Sequence, residues 1–198
     1  MRNRQSGIAL VLVLLVAGLV GLAYSGLPSV AASADEPGTL RWLLQTTRQH
    51  SVARHAAQIT VPDLSQGELV TAGAADFNAM CAHCHGGPGR EPFVAAGDMS
   101  PPPPDLGQVA GRRSPAELFW VIKHGIRMTG MPAWGATHSD AELWELVAFV
   151  DRLPTLSPAD YRGLVAQARA DGHGLHHEDH PRAASESAEP GHAHGHGN

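Results

Sequence analysis

Cysteine is almost missing from this 198-residue chain: there are two, Cys81 and Cys84, and both fall in one short motif, so no disulfide framework holds the fold together. Positive charge is also short. Lys and Arg number 14 against 19 Asp and Glu, a formal net charge of -5 at pH 7, which excludes a nucleic-acid binder that relies on a basic surface. Continuous β-branched runs are nearly absent outside the N-terminal segment, and helix formers with Gly/Pro-rich connections dominate. These absences leave an all-α reading, with one small domain behind a preceding helical segment.

What is present centres on Cys81-Ala82-His83-Cys84-His85. Cys-x-x-Cys-His is the pattern of covalent haem c attachment: two thiols add across the vinyl groups of one porphyrin, and the next imidazole comes under its centre to ligate the iron. Two intervening residues in a helical turn achieve that spacing. A redox dithiol would not need His85, and a structural zinc site usually needs four ligands, often from two such pairs. A domain this small is poor in apolar core, so one covalent haem c would supply much of the interior.

The N-terminus sets the compartment. Arg2 and Arg4 precede an apolar run from Gly7 to about Tyr24, close to the roughly 20 residues that span a bilayer. Small residues at Val30-Ala31-Ala32 and Ala32-Ser33-Ala34 also offer sites for signal peptidase. The favoured reading is a retained single-pass anchor in the cytoplasmic membrane with the haem domain on the periplasmic side. The alternative is a soluble periplasmic protein after cleavage. Residues 39–59 are helix-permissive, with Arg41, Arg48 and Arg54 giving basic character: either an amphipathic juxtamembrane helix facing anionic headgroups or a helix packed beside the haem domain. His50 and His55 read as surface or packing residues.

Ser65-Gln66-Gly67-Glu68 fits a capping box for a helix running into Cys81, with Gly73 permitting close approach and Phe77 packing at the crossing. After His85, Gly86 to Gly89 suit a chain turning away, and Arg90 could reach a propionate. Pro101 to Pro104 hold the chain extended and could wall the haem edge. Ser114 and Ser139 start two further helices, the second with Leu143, Leu146, Val147 and Val150 as its apolar face. Between them lies Gly130-Met131-Pro132-Ala133-Trp134. A thioether is a soft, neutral sixth ligand that raises the reduction potential, so Met131 is the candidate distal ligand and Met128 the alternative. Trp134 could pack on the ring or bond a propionate. Ser157-Pro158 opens a shorter helix to about Ala170, read as peripheral.

From Asp171 the chain carries most of its 13 histidines without apolar periodicity, the composition of a disordered tail. His173, His176, His177, His180, His192, His194 and His196 could bind divalent metal weakly. No spacing there specifies a closed site, and a solvated tail is the favoured reading.

Residues 66–154 resemble a monohaem class I cytochrome c of the membrane-anchored bacterial type. The resemblance rests on the helix entering Cys81-x-x-Cys84-His85, the middle helix, the Met131-Pro132 loop and the final helix that would cross the first at Gly73 and Phe77. It implies a class I cytochrome c fold, Cys81 and Cys84 as thioether cysteines, and His85 and Met131 as the axial ligands of the haem iron. The expected organisation is a basic start (1–6), an anchor or signal peptide (7–24), a juxtamembrane linker and helix (25–64), the cytochrome domain (65–156), the peripheral helix (157–170) and the tail (171–198).

The expected function is one-electron transfer without catalysis between membrane or periplasmic redox partners, such as a respiratory complex, dehydrogenase or terminal oxidase. Arg112, Arg113, Lys123 and Arg127 are candidates to bias docking. Rival readings are an open-coordination haem enzyme or gas sensor, and a metal-handling protein acting through the tail.

Overall fold

A computed structural model describes residues 2–34 and 36–173; the histidine-rich tail from 174 onward, read as solvated with weak metal binding as the alternative, lies outside the described residues. Among the described residues the architecture is all-α, consistent with a class I cytochrome c-like fold. In place of a sheet there is one isolated antiparallel bridge, Gly87 to Arg90.

Helix α1 (Arg2–Tyr24) contains a 20-residue stretch, Gln5–Tyr24, with mean hydropathy 2.6 and no residue buried. At 1.5 Å per residue it is about 30 Å long, the thickness of a bilayer's hydrocarbon core. This is consistent with a single-pass anchor or a signal sequence. Helix α2 (Gly38–Ala56) is different. It buries Val52 and Ala56, packs on the later α6, and stacks His55 on Trp120 at 5.3 Å. Of the two readings of this segment, packing beside the domain is what the structure adopts for its C-terminal half.

The core forms where α3 (Gly67–Asp76) crosses the later α7. A Cβ at Gly73 would collide with the Glu145 carbonyl oxygen, so only glycine lets the two backbones approach this closely. Phe77, fully buried, meets Phe149 at 5.0 Å between ring centroids. Burying a ring of this kind is worth about 3 kcal/mol. The α3 start corrects one expectation. Ser65 does not cap it, because the Ser65 backbone N–H and hydroxyl both donate to Asp63 Oδ1, at 3.0 and 2.6 Å, and the helix begins after Gln66 without a side-chain cap. Asp63 sits two residues before Ser65 and wins that hydroxyl through an Asx-type turn.

From Phe77 to Cys81 the chain widens into a π-helical turn before the short helix α4 (Ala82–His85). Helix α5 (Leu106–Val109) follows the proline run. Helices α6 (Pro115–His124) and α7 (Asp140–Arg152) carry full capping boxes, Ser114 with Glu117 and Ser139 with Glu142, each worth about 1 kcal/mol. The apolar face of α7, Leu143, Leu146, Val147 and Val150, is buried, and Trp144 stacks on Phe119 at 4.1 Å.

Helix α8 (Pro158–Ala170) is not peripheral. It packs on α3 and puts Tyr161, Val165 and Ala168 into the interior. Tyr161 meets Phe77 edge-on at 6.2 Å, while its hydroxyl donates to Asn78 Oδ1 at 3.0 Å. The sequence pattern around Tyr161 is too sparse to reveal this, because an aromatic ring with one polar tip suits a surface or an interior.

Candidate haem site

The π turn and α4 deliver the motif. Cys81 is buried, and Cys84 and His85 are partly buried. His83 points away and stacks on Phe93 at 4.3 Å, nearly parallel. His85 Nδ1 donates to the Pro104 carbonyl oxygen at 2.8 Å; a carbonyl can only accept, so this bond fixes the proton on Nδ1 and leaves the Nε2 lone pair free to ligate. Burial lowers the His85 pKa, only partly countered by that hydrogen bond, so the neutral, ligating form is favoured. Burial, with smaller contributions from the Asp76 carboxylate and Cys84, pushes the Cys81 thiol up to about 12. The site therefore disfavours a thiolate at Cys81 and suits a neutral sulfur, which a thioether is.

These residues open onto one large cavity of about 860 Å³, towards the upper end of the roughly 300–1,000 Å³ typical of cofactor sites. Cys81, Cys84, His85 and Met131 all line it. All four prolines from Pro101 to Pro104 form part of its wall, as do Leu106, Leu118, Ile122 and Trp134. The donor set and the largely apolar lining fit a covalent haem c, and the motif is consistent with one such group.

Met131 is held by a small hydrogen-bonded loop. Gly125 has φ +63°, and a Cβ there would lie 2.7 Å from the Met131 carbonyl oxygen. The Met131 N–H donates to Thr129 Oγ1 at 3.2 Å, the Thr129 hydroxyl donates to the Ile126 carbonyl at 2.7 Å, and the Ile126 N–H donates to the Met131 carbonyl at 3.2 Å. Met128, by contrast, is 88% exposed and absent from the cavity wall. Met80 and Met99 line the cavity as well.

Several expectations shift. Arg90 does not line the cavity: its Nη1 donates to Asn78, at 2.9 Å to Oδ1 and 3.3 Å to the backbone carbonyl. Among the described residues, Lys123 is committed to Asp140 at 2.6 Å and Arg113 to Glu117 at 3.3 Å, while the docking candidates Arg112 and Arg127 are exposed and make no ion pair. Sequence reasoning missed the contribution of α2, whose Gln45, Arg48, Gln49 and Val52 line the cavity. The helical spacing of those four positions was the signal that could have found them. Among the described residues, no group of three or more His, Cys, Asp or Glu side chains gathers to hold a metal ion.

No curated protein and no solved structure matches the chain. Residues 68–150 match the family model described as cytochrome C oxidase, cbb3-type, subunit III, a similarity that ends just short of the α7 C-terminus and that, together with the Cys81-x-x-Cys84-His85 motif, points to a c-type cytochrome.

Proposed function

We propose that this chain is a one-electron carrier on the periplasmic side of the cytoplasmic membrane, held there by α1 and exchanging electrons with a respiratory complex, dehydrogenase or terminal oxidase. The observation that carries this reading is the convergence of Cys81, Cys84, His85 and Met131 on a single cavity whose wall is mostly apolar. A covalently held haem c would supply the one-electron couple. Cys81 and Cys84 would anchor it, and His85 through Nε2 and Met131 through its thioether would ligate its iron. Two protein ligands on rigid supports would limit reorganisation and would leave no open position for oxygen or peroxide chemistry. The likeness of residues 68–150 to an oxidase subunit family supports a respiratory partner.

Absorption spectra of the matured protein test this. The ferric form should show the weak far-red methionine-to-iron band, which Met131→Ala removes and Met128→Ala leaves intact. High-spin iron in the wild type, with rapid carbon monoxide binding to the ferrous form, would overturn the carrier in favour of an open site. Membrane fractionation tests the anchor: a mature chain beginning near Ser33 and found in the soluble fraction would overturn retention.

A further inference from the structure

Helix α2 precedes the segment similar to the cytochrome family, yet it forms part of the cavity wall. Arg48 lies at that wall, half-buried, and among the described residues no ion pair or hydrogen bond engages its guanidinium. A half-buried guanidinium without an anion has lost hydration and gained nothing for it, and its planar fork matches a carboxylate. The other charged side chains lining the cavity are Arg112, Arg113 and Glu117. Glu117 already pairs with Arg113, so the described residues offer Arg48 no free carboxylate within the cavity.

We propose that Arg48 binds a propionate carboxylate of the haem, making α2 a positioning element that tunes the reduction potential; this rests on the haem reading above. The guanidinium would hold the carboxylate ionised and keep its titration below the working pH range, and its own charge would disfavour the ferric state. Exposed Arg112 lies on the same cavity wall and adds to the positive field.

The test is a redox titration of the full-length holoprotein against pH. Arg48→Gln should lower the potential by about 59 mV, a tenfold change in the one-electron equilibrium. It should also introduce a new pH dependence as the carboxylate titrates at higher pH, with the potential falling as pH rises. Arg48→Lys should restore most of both. Unchanged potential and pH profile in Arg48→Gln, with normal covalent haem content by pyridine haemochrome, would overturn this proposal alone. Equal shifts in both variants would mean a displaced α2 and would also overturn it. Absence of covalent haem from the wild type would overturn the underlying reading instead.

Discussion

His85 Nδ1 is tied to the carbonyl oxygen of Pro104, nineteen positions along the chain, at 2.8 Å. The bond spans the glycine turn and the proline run, so the stiffness of four consecutive prolines is transmitted to one imidazole ring.

Loosening that carbonyl should weaken His85 as the proposed haem ligand. Because burial lowers the His85 pKa, its neutral form is retained below the ordinary imidazole value of about 6.5, and stability is lost as pH falls through the lower folded value. Pro104→Gly should move acid release of the ligand to higher pH, by about one unit if the lost support weakens binding tenfold. Visible spectra recorded through an acid titration read this directly, and coincident curves would show that the bond does not orient the ring.

Gly73→Ala places a methyl group against the Glu145 carbonyl. Neither backbone can yield without separating α3 from α7, so a loss of about 2–3 kcal/mol is expected, a drop of roughly 10 °C or more in the melting temperature of the holoprotein. An unaltered melting curve would mean the crossing is not tightly set.

Tyr161 separates two contributions of α8. Tyr161→Phe keeps the ring against Phe77 and loses only the hydrogen bond to Asn78, costing about 1 kcal/mol. Tyr161→Ala empties the site and should cost about 3–5 kcal/mol. Denaturant unfolding of the two variants gives both values, and a loss below about 0.5 kcal/mol for alanine would return the helix to the periphery.

Asp160 predicts a pH dependence of opposite origin to a buried group. Its side chain accepts from the hydroxyl and backbone N–H of Ser157, which lowers its pKa. Its contribution to stability is therefore complete above the unfolded value of about 3.9 and disappears as pH falls through the lower folded one. Wild type and Asp160→Asn should differ in thermal stability at neutral pH and converge in acid. A difference that persists in strong acid would assign the effect to something other than the carboxylate.

That Cys81, Cys84, His85 and Met131 would share one cavity was legible because the proposed chemistry demands those residue types in that order, and Gly73 with Phe77 was legible because a helix crossing needs one small and one large residue a turn apart. Ser114 and Ser139 announced their helices through local capping geometry. Ser65 misled for the same local reason, since Asp63 offered its hydroxyl a competing acceptor. The spacing of Arg48 with Gln45, Gln49 and Val52 marked one helix face without saying what it meets, and Tyr161 and Arg90 were illegible as to role. Which neighbour a long or amphipathic side chain meets depends on how distant helices dock, and no short-range pattern encodes that.

The π turn from Phe77 to Cys81 acts as a phase adjuster. It amounts to one residue more than an α-helix would use over the same rise. Ala74 before it and Phe77 at its start belong to the helix core; Cys81 at its end and Cys84 after it line the cavity. Deleting a single residue there would return the turn to α-helical winding and leave the segments on either side nearly in phase. The two sulfurs would keep their wall, and the loss would fall on the side chain removed, such as Met80 at the cavity or Asn78 beneath Tyr161.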